Sequence, residues 1–242
     1  MPDSPIQPLD LVQLVLWFFA GATALYFSLG NARIWTSIST GFFLILVSEG
    51  YRVTPWARDP RLESLHAIIG TIAILVLTHG FQEYYVFSRT LETGGSKAAV
   101  YLITLGVIAA SFVFLVINPE PEAATVRNIR LVGNVNWVFL TLINLDLLRK
   151  IHGEVKGTPV ARGFVAFGIV FALVFLWRGS ELYLQVFGWD TEWASVVAAT
   201  GGHVAPASLA RVAFSEIVHR WGGLVASGSV ATTFAYLARL LR

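Results

Sequence analysis

The sequence of 242 residues contains no cysteine and only 13% charged residues. Without cysteine the chain has no disulfide framework, no thiolate metal site and no redox CxxC motif. Its Lys and Arg residues are scattered, and the formal net charge is only +2. Because nucleic-acid binding needs a dense basic patch, we expect no nucleic-acid partner. The sequence also lacks a P-loop, a dinucleotide-binding fingerprint and a nucleophile elbow.

Apolar residues make up 55% of the chain, and the mean hydropathy is +0.66. This composition does not suit a water-soluble surface. Stretches of about 20 apolar residues, the length that crosses a bilayer core of about 30 Å, recur along the whole chain. The sequence therefore predicts an all-α polytopic membrane protein, a single integral membrane domain over residues 1–242. Seven transmembrane helices are predicted near residues 11–29, 34–53, 63–86, 98–117, 130–148, 163–187 and 210–239.

The ends of the chain and its loops predict an orientation. Residues 1–5 lack the basic segment of a cleaved signal peptide, so the first apolar run is expected to stay as a helix. Lys and Arg are more frequent in the loops on the side of the C-terminus. By the positive-inside rule, we expect an inner or plasma membrane protein with its N-terminus outside and its C-terminus in the cytoplasm. The longest loop, about 188–209, would then lie outside.

Two Glu-x-x-His triplets are the most informative motifs in the chain. They run from Glu63 to His66 and from Glu216 to His219, each near the start of an apolar helix. A Ser-Glu pair in the preceding helix accompanies each triplet. Ionisable side chains at membrane depth are unfavourable unless something pairs them, so these positions form the candidate site. The six residues are Glu49, Glu63, His66, Glu181, Glu216 and His219.

The duplicated motifs also predict an internal repeat. Repeat A covers about 11–86, a linker helix covers about 98–117, and repeat B covers about 130–239. A single linker helix places both triplets in the same orientation. The repeats would then be parallel and related by an axis along the membrane normal.

The six residues have the composition of a dinuclear metal centre. Residues three apart on a helix share one face, so each triplet can present an oxygen and a nitrogen to one ion. A Glu from each of two helices plus Glu-x-x-His from each of two others is the ligand set of di-iron carboxylate bundles. The chain thus resembles the di-iron carboxylate proteins, such as ferritin-like oxidases and quinol alternative oxidases, over these six residues. The resemblance implies two iron ions, or another divalent metal, and an oxidoreductase acting on a quinol or a lipid.

Other functions fit the same residues. The segment that begins at Glu216 also looks like the Glu-x-x-His-Arg segment of haem A synthases, and this resemblance implies a haem site at the histidine. Haem b at His66 and His219 is therefore one alternative, and a subunit of a larger membrane electron-transfer complex is another. Parallel repeats around carboxylate and imidazole groups would also suit a divalent-metal transporter. A purely structural polar network is the remaining alternative. His79 lies about 140° around the helix from His66, so it is expected to bond to a neighbouring helix.

Overall fold

The computed structural model describes residues 8–52, 59–91, 96–117, 122–188 and 206–240. They form seven α-helices: α1 (Pro8–Gly30), α2 (Ile34–Arg52), α3 (Pro60–Thr90), α4 (Lys97–Ile117), α5 (Ala123–Glu154), α6 (Ala161–Tyr183) and α7 (Pro206–Leu240). A π-helical turn, Leu184–Gly188, continues α6. No strand occurs within these ranges, and the all-α fold class is confirmed.

Four helical segments are long and apolar enough to cross a membrane: Leu11–Gly30, Pro60–Thr90, Ala124–Glu154 and Ala161–Val186. They indicate a membrane protein. Within the described residues α2 and α7 are not apolar enough and α4 contributes a shorter apolar segment, Lys97–Ser111, so the seven-span count is not confirmed. In α2 the reason is its buried polar side chains, among them Ser39, Thr40 and Ser48. A helix enclosed by other helices need not be apolar, because its polar groups face protein rather than lipid.

The type of membrane and the orientation of the chain stay predictions. The predicted outer loop at 188–209 lies almost wholly outside the described residues.

Six of the helices form a closed ring. In this ring α1 packs on α2, α2 on α3, α3 on α5, α5 on α6, α6 on α7, and α7 again on α1. Helix α4 lies outside the ring, against α2 and α3. A repeat of three helices joined by one linker helix would give this order of neighbours. The repeat itself stays a prediction.

Aromatic side chains fill the middle of the ring. The ring of Phe42 on α2 lies 5.9 Å from that of Phe167 on α6 and 5.3 Å from that of Phe234 on α7. Phe81 of α3 lies 5.5 Å from Phe171 of α6. All five side chains are at most 1% exposed. Aromatic pairs at such distances attract one another, so this cluster holds four helices together.

A capping residue fixes the start of α3. Asp59 accepts a hydrogen bond from the backbone N–H of Arg61 at 2.9 Å, and Pro60 occupies the first helical position. The hydrogen bond from the Arg61 side chain holds the pKa of the Asp59 carboxyl below its usual range. The cap places Glu63 and His66 in the first two turns of the helix.

Glycine residues let α2 and α3 approach closely. A Cβ atom at Gly80 would lie 2.8 Å from the backbone nitrogen of Ile38. We expect Gly80→Ala to lower the free energy of unfolding by about 1–3 kcal/mol, because the two backbones must move apart. Thermal unfolding of the detergent-purified protein, followed by circular dichroism, measures this change.

Gly106→Ala on α4 is the matched control, since a Cβ there meets nothing within 4 Å. Alanine favours a helix over glycine, so this variant should be as stable as the wild type or slightly more stable. Equal unfolding temperatures for the two variants would contradict the close packing of α2 on α3.

Candidate functional site: the Arg178 cluster

A buried arginine joins two of the predicted site residues. Nη2 of Arg178 on α6 donates to Oε1 of Glu49 on α2 at 3.0 Å, and Nη1 donates to Oε2 of Glu181 at 2.8 Å. The side chains of Arg178 and Glu49 are each 3% exposed, and that of Glu181 is 17% exposed. One guanidinium therefore holds carboxylates from two helices. We call these three residues the Arg178 cluster.

Two tryptophans and a glutamine surround the cluster. The guanidinium carbon of Arg178 lies 4.0 Å from the ring centroid of Trp177 and 4.9 Å from that of Trp137 on α5. A cation over an aromatic face is attracted to it. Gln13 of α1 donates from Nε2 to Oε2 of Glu49 at 3.4 Å. The cluster thus connects α1, α2, α5 and α6 at one end of the bundle.

His66 is held in place by Ser48. Its Nδ1 lies 2.9 Å from the backbone carbonyl oxygen of Ser48 and 3.0 Å from the Ser48 hydroxyl oxygen. The hydroxyl in turn donates to the backbone carbonyl of His66 at 2.8 Å. Since a carbonyl oxygen only accepts, we assign the hydrogen of the neutral ring to Nδ1. Nε2 is then the basic nitrogen of this imidazole.

A second ion pair lies nearer the surface. Glu63 of α3 accepts a hydrogen bond from Nη1 of Arg130 on α5. The two side chains are 36% and 21% exposed, far more than Arg178. One turn after Arg130, the side-chain amide of Asn134 donates to Oε1 of Gln185 at 3.0 Å. Gln185 belongs to the π-helical turn, so this bond fixes the end of α6 against α5.

A small cavity adjoins both ion pairs. The centre of a water molecule can reach about 20 Å³ of it, which is room for one water. Its polar and aromatic lining consists of His66, Arg130, Asn134, Trp137, Arg178 and Glu181. The structure therefore places an imidazole, two guanidiniums and a carboxylate around one water-sized space.

The six residues predicted from the sequence do not form one group. Glu49 and Glu181 meet at Arg178, and His66 and Glu181 border the same cavity. By contrast, Glu216 of α7 is exposed and His219 is half-buried. Within the described ranges, no three His, Asp or Glu side chains lie close enough together to hold a metal ion.

These residues, as placed, do not fit the dinuclear centre that the resemblance to di-iron proteins implies. The physical reason is that Arg178 already supplies positive charge to two of the carboxylates. The structure therefore gives no support to the iron and oxidoreductase predictions. Haem b at His66 and His219, a quinol or lipid substrate, and membership of a larger complex stay predictions that no finding tests.

Sequence reasoning missed three side chains of the site: Arg130, Asn134 and Trp137. Their spacing of four and three residues is a signal, because it places them on one face of α5. It was overlooked because no glutamate or histidine of a repeated motif lies among them.

His79 belongs to the opposite end of the bundle. Its side chain is 66% exposed, and Nε2 lies 3.5 Å from Oε1 of Glu83 on the same helix rather than on a neighbouring one. Arg33, the residue before α2, also donates to Glu83, at 3.0 Å from Nη2 to Oε1. Ser37 donates to the other oxygen of Glu83 at 2.7 Å. Both ends of the α2–α3 pair therefore carry charged side chains.

Comparison with known proteins identifies no family for this chain. No protein-family model, no curated protein and no solved structure matches the chain. The functional argument therefore depends on the residues of the site alone.

Proposed function

We propose that this membrane protein binds a proton at the Arg178 cluster and exchanges it with water at one face of the membrane. The observation that carries the proposal is the sharing of one buried guanidinium by Glu49 and Glu181, beside a water-sized cavity. Ionisable side chains within membrane helices are rare and commonly mark proton or ion pathways.

The charges around the cavity support a bound cation. Glu49, Glu63 and Glu181 carry three negative charges, whereas Arg130 and Arg178 carry two positive charges. Among these five residues the carboxylates outnumber the guanidiniums by one, and negative charge at a site of low dielectric constant favours a bound cation. A proton is the smallest cation that removes this charge.

The chemistry of the lining supports a proton in particular. Histidine is the side chain whose ordinary pKa lies nearest neutral pH, and Nε2 of His66 is the nitrogen that takes up the proton. His66 and Glu181 both line the cavity. A water molecule between them can pass a proton from the imidazole to the carboxylate without a large movement of either side chain. The partly exposed pair of Glu63 and Arg130 lies on the route to bulk water.

Infrared difference spectroscopy of the purified protein tests this proposal. We expect a protonated-carboxyl band that loses intensity as the pH is raised between about pH 4 and pH 10, the range that covers carboxyl groups of ordinary and raised pKa. Glu181→Gln should remove or shift the band, because Glu181 both binds Arg178 and borders the cavity. Glu216→Gln is the matched control. Its carboxylate is exposed on α7, so the band should not change.

The same variants show whether the bound cation is a proton or a divalent metal ion. If Mn²⁺, Fe²⁺ or Zn²⁺ binds the wild type and both Glu181→Gln and Glu216→Gln weaken that binding, the six-residue metal hypothesis replaces the proton. A wild-type spectrum with no pH-dependent carboxyl band would also contradict the proposal.

A further inference from the structure

Helix α5 carries a stripe of polar side chains along its buried face. Thr141 and Asn144 follow Asn134 at intervals of seven and three residues, which keep all three on one face with Arg130. Thr141 and Asn144 are both 0% exposed. His152 follows Thr141 by eleven residues, three turns further on. At this far end of α5, Nδ1 of His152 lies 3.3 Å from the backbone carbonyl oxygen of Ala161.

The two side chains in the middle of the stripe have no hydrogen-bond partner among the residues that the structure describes. There, neither the Thr141 hydroxyl nor either polar atom of the Asn144 amide makes a hydrogen bond. Thr71 and Thr78 of α3 differ, since each hydroxyl donates to a carbonyl of its own helix at 2.8 Å. Buried polar atoms almost always have a partner, either protein or water. Three such atoms one turn apart therefore form a place where water molecules would be held by hydrogen bonds.

The stripe begins at the Arg178 cavity. Arg130 and Asn134 line that cavity. With a helical rise of about 1.5 Å per residue, Thr141 lies about 10 Å and Asn144 about 15 Å deeper than Asn134. His152 lies about 27 Å from Asn134 along the helix, close to the bilayer core thickness of about 30 Å. The stripe thus runs from the candidate site to the opposite end of the bundle.

We infer that α5 lines a proton pathway across the bundle, in which water molecules bound by Thr141 and Asn144 connect the Arg178 cavity with the His152 end. This inference rests on the proposed proton site and gives it a transmembrane role. A proton enters the chain of water molecules at the cavity, each oxygen accepts one proton and releases another, and one proton leaves at the far end. Only O–H and N–H bonds are formed and broken, so no oxidant or reductant is needed.

Proton flux into proteoliposomes tests the pathway. The full-length protein is reconstituted with an entrapped pH-sensitive dye, and a potassium gradient with valinomycin supplies the driving potential. Asn144→Leu should lower the flux by about tenfold. In the rate-limiting step the Asn144 amide would bind a water molecule that carries the positive charge of the proton, and leucine cannot make those hydrogen bonds. Thr141→Val, which keeps the side-chain shape, should lower it in the same direction. It serves as the test if the leucine variant does not fold.

Thr232→Val is the matched control. This threonine lies on the exposed face of α7 and donates to the carbonyl oxygen of Gly228 at 2.6 Å, so the flux should equal that of the wild type. A wild-type flux no larger than that of empty vesicles, or equal fluxes for Asn144→Leu and wild type, would overturn the pathway. The infrared band distinguishes a failure of the proton pathway from a failure of the proton site. If the band is present and flux is absent, the pathway fails and the proton site stands; if the band is absent, the proton site fails.

Discussion

Arg178→Gln should lower the free energy of unfolding by about 3–5 kcal/mol, because removing one partner of a buried ion pair leaves an uncompensated buried charge. Glu49 is 3% exposed, and its hydrogen bond from Gln13, at 3.4 Å, is longer than the 3.0 Å bond from Arg178 that the variant removes. At about 2–4 °C per kcal/mol for a chain of this size, the midpoint of thermal unfolding should fall by about 10 °C. Circular dichroism in detergent measures the shift.

Two further variants show whether charge is the cause. Replacing both Arg178 and Glu49 by glutamine should recover part of the lost stability, since the more buried carboxylate is then gone and the one that remains, Glu181, is 17% exposed. Arg130→Gln breaks the more exposed pair with Glu63 and should cost at most about 1 kcal/mol. If Arg178→Gln unfolds at the wild-type temperature, the buried ion pair is not a stabilising element and the proposed site loses its basis.

Phe167→Ala should be the second strongly destabilised variant. Its ring lies 5.6 Å from that of Phe81 and 5.4 Å from that of Phe234, and the side chain is 0% exposed. Within a membrane, moving an apolar side chain from lipid into the protein contributes little to stability. The expected loss in the free energy of unfolding therefore comes from the cavity and from the lost ring contacts. The cavity alone accounts for about 2 kcal/mol. Thermal unfolding of the purified variant measures the loss.

Phe139→Ala is the control for this prediction. Phe139 is on α5 and is 60% exposed on the outer surface of the bundle, so its removal leaves no cavity inside the protein. Its unfolding temperature should stay close to that of the wild type. An equal loss in the two variants would show that the central aromatic cluster does not hold the four helices together.

The sequence predicted the helices well because apolar length is a local property. The predicted span at 34–53 corresponds to α2 at Ile34–Arg52, and that at 98–117 to α4 at Lys97–Ile117. The span at 130–148 is shorter than α5, which covers Ala123–Glu154. Helical hydrogen bonding continues past the apolar segment into polar residues, and a hydropathy argument cannot place that end.

The sequence also predicted that the buried glutamates need positive charge, and it favoured a metal ion as the source, for which the structure gives no support. A glutamate in a membrane helix can be neutralised by a metal ion, a proton or an arginine, and all three satisfy the same electrostatic requirement. The outcome for Glu49 depends on the packing of α2 near α6, which brings Arg178 within 3.0 Å of it. A sequence pattern contains no information on that distance.

The amino-acid sequence by itself determined the helical class of the protein and, through its composition and long apolar stretches, indicated a membrane protein. It also identified Glu49, His66 and Glu181 as side chains in need of partners. Only the tertiary structure decided which partners they have. The packing of the helices places Arg178 between two carboxylates, puts His66 and Glu181 on one cavity, and leaves Glu216 exposed. The physical reason is that ion pairs and cavities arise between helices far apart in the chain, where the relative rotation and depth of each helix are set by the packing of all the others.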